Sequence, residues 1–133
     1  MRRDPLSVVQ GAYSALACGD TPGLLARLAP DVVWEVAGQP GAHPSFGVRR
    51  GREGALDFLH ALDAAETFES FTPLRFHETA SSVVVEGAAT VTFKVSRRTV
   101  CYDWVHIWTV SDGLIVGFRE FCDTARVAEA FAA

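Results

Sequence analysis

The chain has 133 residues, of which 49% are hydrophobic and 21% are charged, and its formal net charge is −4 at pH 7. This length and composition predict one globular domain spanning residues 1–133. The acidic balance argues against a surface for nucleic acid phosphates, so we expect no nucleic acid partner. No apolar stretch approaches the roughly 20 residues that a membrane helix needs, so we expect no membrane partner either.

Cysteine and histidine usage points away from disulfides and metal ions. The three cysteines are odd in number and scattered, which fits neither a disulfide framework nor zinc spacing and predicts a reducing cytoplasm. The four histidines are far apart, with no liganding neighbour at a helical or strand spacing. We therefore expect a protein that works without a metal or cofactor. These residues are Cys18, Cys101, Cys122, His43, His60, His77 and His106.

Two helices are predicted at the beginning of the chain. Asp4 is suited to cap the first helix, and Gly19 is suited to end it. A second, short helix opens at Thr21 and is closed by Pro30. Proline fits the first turn of a helix but interrupts its interior, which is why it marks both kinds of boundary.

The next segments are a strand, a long loop and a third helix. Apolar residues alternate over 32–36, which predicts a short strand. Residues 37–50 hold three glycines and two prolines without periodicity, so they predict a loop long enough to be functional. We expect its His43 to be an ordinary loop residue or part of a lid. A helical stripe of apolar residues then predicts a helix over 51–65.

The second half of the chain predicts an antiparallel meander followed by a short helix. Valine-rich runs with turn residues between them are typical of strands. Helices first and a curved sheet afterwards predict an α+β domain, in which the helices cover one sheet face and leave an opening. The predicted strands are 67–79, 82–95, 98–110 and 114–122, and the predicted last helix is Thr124–Ala132.

Large aromatic side chains occupy every second position of one predicted strand. Tyr102, Trp104, His106 and Trp108 share one face, where an ordinary core strand carries valine, isoleucine or leucine. We interpret this face as the wall of a pocket for a flat hydrophobic molecule. His106 is then a candidate acid or base, because imidazole works in either form near neutral pH. The alternative is a buried histidine satisfied by a backbone carbonyl or by Tyr102.

The following strand brings Glu120 back towards the same face, depending on the hairpin register. A two-residue turn at Asp112 places Arg119 opposite His106, whereas a three-residue loop places Phe118 there. We favour the second register, in which Glu120 shares the face of His106 in a wall without other charges. The alternative is an ion pair of Glu120 with Arg119 or with Lys94 at the sheet surface.

The order of these elements resembles the nuclear transport factor 2-like fold, and more specifically the SnoaL-like family with its ketosteroid isomerase relatives. The segments that carry the resemblance are Tyr13–Asp20, Leu28–Glu35, Gly51–Glu53 and His106–Asp123. The resemblance implies a cone-shaped α+β barrel, with helices packed on a curved mixed or antiparallel sheet of the cystatin-like kind.

The same resemblance indicates which of the enzyme activities known for this fold the sequence can support. The proton-moving aspartate and helix-one tyrosine of ketosteroid isomerases fall near Val36 and Gly11, so that apparatus is not expected. The Arg-x-Asp pair of limonene epoxide hydrolases has no counterpart in 87–92. The SnoaL-type polyketide cyclases pair a histidine on the penultimate strand with a carboxylate on the last, and His106 and Glu120 match that pattern.

We therefore predict a cofactor-independent acid–base enzyme of the isomerase or lyase type. It would act on a small hydrophobic molecule with a carbonyl group, by cyclisation, isomerisation or dehydration. His106 would move the proton, and Glu120 would orient His106 or act as its partner. The expected substrate-binding side chains, one or more of which could instead be plain core, are Tyr13, Trp34, Tyr102, Trp104, Trp108 and Phe118.

Two other functions fit the same pattern. The pocket could hold a hydrophobic or aromatic ligand without catalysis, or the outer sheet face could bind a partner. That outer face carries Val105, Ile107, Thr109 and Phe121. Such a face is too apolar to be left wholly in water, so we predict a homodimer that pairs the two sheets.

Overall fold

The computed structural model describes residues 4–132, which form four helices packed on one curved six-stranded sheet. The predicted α+β architecture is confirmed. The elements are α1 Pro5–Cys18, α2 Thr21–Ala26, β1 Leu28–Val36, β2 Gly47–Arg50, α3 Gly51–Ala65, β3 Glu66–Glu78, β4 Ser82–Phe93, β5 Thr99–Ser111, β6 Leu114–Cys122 and α4 Thr124–Ala132.

The first and last helices begin at aspartate caps. Oδ1 of Asp4 accepts a hydrogen bond from the backbone N–H of Ser7 at 2.8 Å. Oδ1 of Asp123 accepts in the same way from the N–H of Arg126 at 3.1 Å. Each cap satisfies one of the donors that a helix leaves free in its first turn. Gly19 ends α1 in the left-handed conformation, with φ 69°, as the sequence predicts.

The segment after α1 differs from the expectation in two places. Asp20 caps α2 through the N–H of Gly23, and the helix ends before Pro30, which lies inside β1. Pro30 is therefore an exposed strand residue and not the helix terminator. The predicted loop at 37–50 ends in β2, which covers Gly47–Arg50 and pairs antiparallel with β1.

The sheet is mixed, and its strand order is β2-β1-β6-β5-β4-β3. Strands β3 to β6 form the predicted antiparallel meander. Strand β1 adds to β6 in parallel. In the described part of the chain the edge strands β2 and β3 do not pair with each other, so the sheet stays open. The helices and the opening lie on its concave side.

The hairpin between β5 and β6 combines a tight turn with a bulge. Ser111 pairs with Leu114 across two residues with positive φ, as in a type I′ turn. The pairing then shifts by one residue, because Val116 is inserted between the partners of Thr109 and Val110.

This shift places Glu120 directly opposite His106. Neither predicted register is correct, since one placed Arg119 at that position and the other Phe118. The expectation that Glu120 shares the face of His106 nevertheless agrees with the structure. Both predicted registers considered only the turn and did not include a bulge within β6.

Tryptophans dominate the fully buried core. Trp34, Trp104 and Trp108 are each at most 1% exposed. The indole of Trp104 fits against Gly87 on β4, where an added Cβ would lie 2.1 Å from a ring carbon. Gly87 is therefore a packing requirement of the sheet. No helix within residues 4–132 is both long and apolar enough to cross a membrane.

Candidate functional site

A cavity of about 900 Å³ opens on the concave side of the sheet. It lies between α1, the loop after β1, α3 and the inner faces of β3, β5 and β6. Volumes of this order are typical of small-molecule sites. Seven of the eight predicted site residues line it, namely Tyr13, Trp34, Tyr102, His106, Trp108, Phe118 and Glu120.

The eighth residue, Trp104, lies behind the residues that line the cavity and does not line it itself. Its ring stacks on His106 with 3.8 Å between ring centroids and on Phe71 with 4.7 Å. Because Gly87 leaves space inside the sheet, the indole fills that space instead of facing a ligand. Trp104 thus packs against the His106 ring and supports its position.

His106 lies at the centre of a chain of hydrogen bonds. Nε1 of Trp108 donates to the Tyr13 hydroxyl at 2.9 Å. That hydroxyl is 2.7 Å from Nδ1 of His106, and Nε2 of His106 is 2.8 Å from Oε1 of Glu120. Since the Tyr13 oxygen accepts from Trp108, its own proton is free to be donated to Nδ1. Nε2 then carries the imidazole proton and donates to the Glu120 carboxylate.

The electrostatics support the same proton arrangement. Burial lowers the pKa of His106, and the hydrogen bond and negative charge of Glu120 oppose this only in part. Burial raises the pKa of the Tyr13 hydroxyl well above its ordinary range. His106 is therefore neutral and Tyr13 protonated near neutral pH, which agrees with the donors and acceptors required by the hydrogen bonds.

Glu120 is the end of this chain that is open to the cavity. Its side chain is 16% exposed, against 4% for His106. From the described residues, Glu120 receives a hydrogen bond at Oε1 and none at Oε2. The alternative ion pairs are not formed, because Arg119 pairs with Glu35 at 3.1 Å and Lys94 donates to the Asp63 carbonyl.

Tyr102 lines the cavity, and its hydroxyl makes no hydrogen bond with residues 4–132. Burial, then the charges of Glu120 and Glu66, raise the pKa of this hydroxyl well above its ordinary range. It is therefore a hydrogen-bond donor without a partner in the protein. Nearby Cys122 has a pKa raised to about 12, first by burial and then by Glu120, so its thiol stays protonated and poorly nucleophilic.

A second buried polar cluster was missed by the sequence analysis. Nε2 of His43 is 2.8 Å from Oε1 of Glu66, and both side chains are 2% exposed. Nδ1 of His43 accepts from the backbone N–H of Ser45 at 3.0 Å and lies 2.8 Å from its hydroxyl. The length of the loop was the only signal for His43. Glu66 directly follows a helix, where no local pattern marks it.

The cavity wall carries more charge than expected. Glu66 lies within it, and Asp63, Glu69 and Lys94 also line the cavity. The prediction of a wall without charges other than His106 and Glu120 is therefore wrong. Among residues 4–132, no group of three or more histidine, cysteine, aspartate or glutamate side chains is arranged to hold a metal ion.

One buried donor on the cavity wall has no partner within the described chain. Nε1 of Trp34 is inaccessible to solvent and makes no hydrogen bond. The ring of Trp34 stacks on Phe118 with 4.1 Å between ring centroids. Nε1 of Trp104 is buried and unpaired in the same way although Trp104 does not line the cavity, so neither donor by itself marks a ligand position.

The comparisons with known proteins agree with this fold. Residues 9–118 match the family model described as SnoaL-like domain. The chain is similar to a nuclear transport factor 2-like protein from Burkholderia xenovorans (29% identity, TM-score 0.88, 98% of each chain covered). A second such protein, from Burkholderia pseudomallei, shares 28% identity with a TM-score of 0.87 over 98% of this chain and 99% of that one.

A further similar structure is that of TerC co-crystallised with polyporic acid. It shares 25% identity with this chain and has a TM-score of 0.83, covering 97% of this chain and 98% of TerC. Among curated proteins, none matches this sequence.

Proposed function

Because the chain belongs to the SnoaL-like domain family, we propose that it is a cofactor-independent acid–base enzyme acting on a small hydrophobic carbonyl compound. The reaction would be of the isomerase or lyase type, as in polyketide cyclisation. The observation that carries this proposal is the chain of hydrogen bonds Trp108–Tyr13–His106–Glu120, which ends in a carboxylate at the cavity. A positioned carboxylate in an aromatic cavity is the equipment for proton transfer.

The geometry favours an exchange of the two predicted roles. Both nitrogens of His106 are engaged, by Tyr13 and by Glu120, so the imidazole has no free atom for a substrate. Oε2 of Glu120 does have room for one. We therefore assign proton abstraction to Glu120 and assign to His106 the task of holding that carboxylate in place. Trp108 and Tyr13 in turn fix the imidazole ring.

The proposed step transfers one proton within the cavity. Oε2 of Glu120 takes a proton from the carbon next to the substrate carbonyl, and the C–H electron pair becomes part of an enolate. The unpartnered Tyr102 hydroxyl donates a hydrogen bond to the enolate oxygen, where charge develops. Glu120 then returns its proton to a second atom of the substrate or to the leaving group. No atom or electron is gained or lost.

The lining of the cavity supports an aromatic or polycyclic substrate. Phe68 and Phe71 on β3 line the cavity and are 39% and 37% exposed, and such ring surfaces bind flat apolar molecules. Trp34, Phe118 and Trp108 are almost fully buried and pack behind the surface that a ligand would touch. The similarity to TerC, which was co-crystallised with polyporic acid, supports a ligand of this general kind. The volume of about 900 Å³ is sufficient for several fused or linked rings.

Hydrogen exchange tests the proposal without knowledge of the natural substrate. Naphthyl methyl ketone and related aromatic ketones are incubated with the protein in heavy water, and loss of the methyl proton signal is followed by NMR. We expect catalysed exchange that falls at least about 100-fold in Glu120→Gln. The control is Asp103→Asn, an exposed carboxylate on β5. Equal exchange rates in Glu120→Gln and the wild type would contradict the assignment.

The second candidate is a binding protein without catalysis. It is favoured by the engagement of both nitrogens of His106 by protein groups, since such a cavity can hold a ligand without proton transfer by the imidazole. Binding of these ketones with no exchange above the uncatalysed rate would identify this function. A cytoplasmic location and a homodimer remain predictions from the sequence.

A further inference from the structure

His43 and Glu66 form a second histidine–carboxylate pair in the wall of the same cavity, and Ser45 lies beside them. We infer that this cluster binds a hydroxyl group of the ligand, at a place separate from the carbonyl faced by Glu120. The inference deepens the proposed function and rests on it, because both concern the same bound molecule. It names the substrate class as a neutral aromatic ketone with a phenolic or enolic hydroxyl.

The proton positions in the cluster follow from its hydrogen bonds. The backbone N–H of Ser45 donates to Nδ1 of His43, so Nδ1 carries no proton. Nε2 must then hold the imidazole proton and donate it to Oε1 of Glu66. Within the described part of the chain, Oε2 of Glu66 receives no hydrogen bond. With no proton on Nδ1, the Ser45 hydroxyl donates its own proton to Nδ1 at 2.8 Å, so its oxygen can only accept. The cluster thus keeps two acceptors available to a ligand, Oε2 of Glu66 and Oγ of Ser45.

The surroundings of the cluster make an unused acceptor unfavourable. The ring of His43 packs against Phe46, Phe93 and Phe131, with centroid separations between 4.9 and 5.5 Å. Burying a carboxylate next to such rings costs free energy that each further hydrogen-bond donor to its oxygens reduces. The protein supplies a donor to one oxygen. A ligand hydroxyl that donates to the other would complete the set.

The two glutamates act on the same stretch of wall. The negative charges of both Glu120 and Glu66 contribute to the raised pKa values of Tyr102 and Cys122. Tyr102, Glu66 and Glu120 also line the same cavity. A ligand that matches this wall offers a carbonyl oxygen to Tyr102 and a hydroxyl donor to Glu66. Two carboxylates also disfavour any ligand that is itself a carboxylate.

Three matched probes test the inference. They are naphthyl methyl ketone, the same ketone with a hydroxyl on the far ring, and the methyl ether of that hydroxyl. Calorimetric titration of the wild type should show the hydroxy ketone binding at least about 10-fold more tightly than the ether, because only the hydroxyl donates to a carboxylate. Equal affinities for the two would overturn the inference with no variant needed.

Variants then test whether the preference for the hydroxy ketone over its methyl ether comes from the cluster of His43, Ser45 and Glu66. Glu66→Gln keeps the acceptor for His43 but offers an amide donor to the ligand, so the preference should fall to within about threefold. Ser45→Ala removes a hydrogen bond to Nδ1 of His43 and leaves Oε2 of Glu66 in place, so the preference should fall by less than in Glu66→Gln. The matched control is Glu69→Gln, whose carboxylate also lines the cavity but is exposed and accepts from Thr92. It should keep the wild-type preference.

The outcomes separate this inference from the proposed function. If all three probes bind and the hydroxyl makes no difference, the inference fails and the role of Glu120 stands. If Glu66→Gln lowers the melting temperature and keeps the preference, the cluster is purely structural and the inference fails. An equal effect of Glu69→Gln points to general electrostatics and also overturns it. Failure of every probe to bind overturns both proposals.

Discussion

The hydroxyl of Tyr13 lies 2.7 Å from Nδ1 of His106, and this contact joins the first helix to the centre of the sheet. It determines which imidazole nitrogen carries the proton, and so which one faces Glu120. The orientation of a side chain at the cavity therefore depends on a helix residue far away in the sequence. Disturbing either partner should alter both stability and the behaviour of Glu120.

Replacement of Tyr13 by phenylalanine should destabilise the protein by about 1–3 kcal/mol, because the Trp108 N–H and the His106 nitrogen both lose their partner. Urea unfolding measures the change. Tyr102→Phe is the matched control, since no described residue bonds its hydroxyl, and it should cost less than about 0.5 kcal/mol. Equal losses in the two variants would show that the Tyr13 hydrogen bonds contribute nothing.

His106 should make stability depend on pH in a defined direction. Its pKa is lowered in the folded protein, whereas in the unfolded chain it is about 6.5. Below pH 6.5 the unfolded chain therefore binds a proton that the folded protein refuses. Unfolding free energy should fall by up to about 1.4 kcal/mol per pH unit, from pH 6.5 down to the folded pKa.

Comparison with His106→Gln isolates this contribution, because glutamine does not titrate. Unfolding free energies of both proteins should be measured from pH 8 to pH 5. The difference between wild type and variant should be constant above about pH 7 and shrink below about pH 6.5. A difference that grows on acidification would mean that the folded protein favours the charged imidazole.

His106 and Glu120 should behave as one unit in catalysis. Once the exchange reaction is measured, His106→Asn and Glu120→Gln should each lower its rate at least about 100-fold. The double variant should be little slower than either single one. His106 acts only by holding Glu120 in place, so its loss adds little once the Glu120 carboxylate is gone. Losses that multiply would indicate independent roles.

Gly87 should be intolerant of any side chain. An added Cβ would lie 2.1 Å from the Trp104 ring, so Gly87→Ala should cost at least about 2 kcal/mol. Gly117→Ala on β6 is the control, because its added Cβ would meet Thr109 at an ordinary 3.6 Å. Thermal denaturation of the two variants is sufficient. A stable Gly87→Ala protein would show that the indole can move aside.

The outer sheet face should form a homodimer contact. Val105, Ile107 and Thr109 are only half-buried in the single chain, and Phe121 is 39% exposed. Sedimentation at micromolar concentration should show a dimer, and Ile107→Glu should convert it to a monomer with unchanged secondary structure. A wild-type monomer under these conditions would contradict the prediction.

The sequence predicts this fold well because its signals are local. Caps at Asp4 and Gly19, a helical stripe over 51–65 and alternation along β5 each report on neighbouring residues. The aromatic wall around His106 follows from the same alternation. Local patterns are sufficient wherever one face of an element is buried along its whole length.

The remaining features depend on contacts between distant segments. The partner of His106 on α1 depends on where the helix crosses the sheet, and no spacing rule reports that. The pairing of His43 with Glu66 joins a loop to the beginning of β3, across the whole of α3. The bulge at Val116 has no sequence signature as strong as the turn that follows β5.

That bulge determines which charged group of β6 lies opposite His106. Without it, the tight turn alone would bring Arg119 opposite His106, and a cation would face the ligand in place of Glu120. Arg119 and Glu120 are adjacent residues of opposite charge on the two faces of β6. A shift of pairing by a single residue, with every side chain retained, would turn a proton acceptor into an anion receptor. Evolution could therefore change the chemistry of this pocket through the backbone alone.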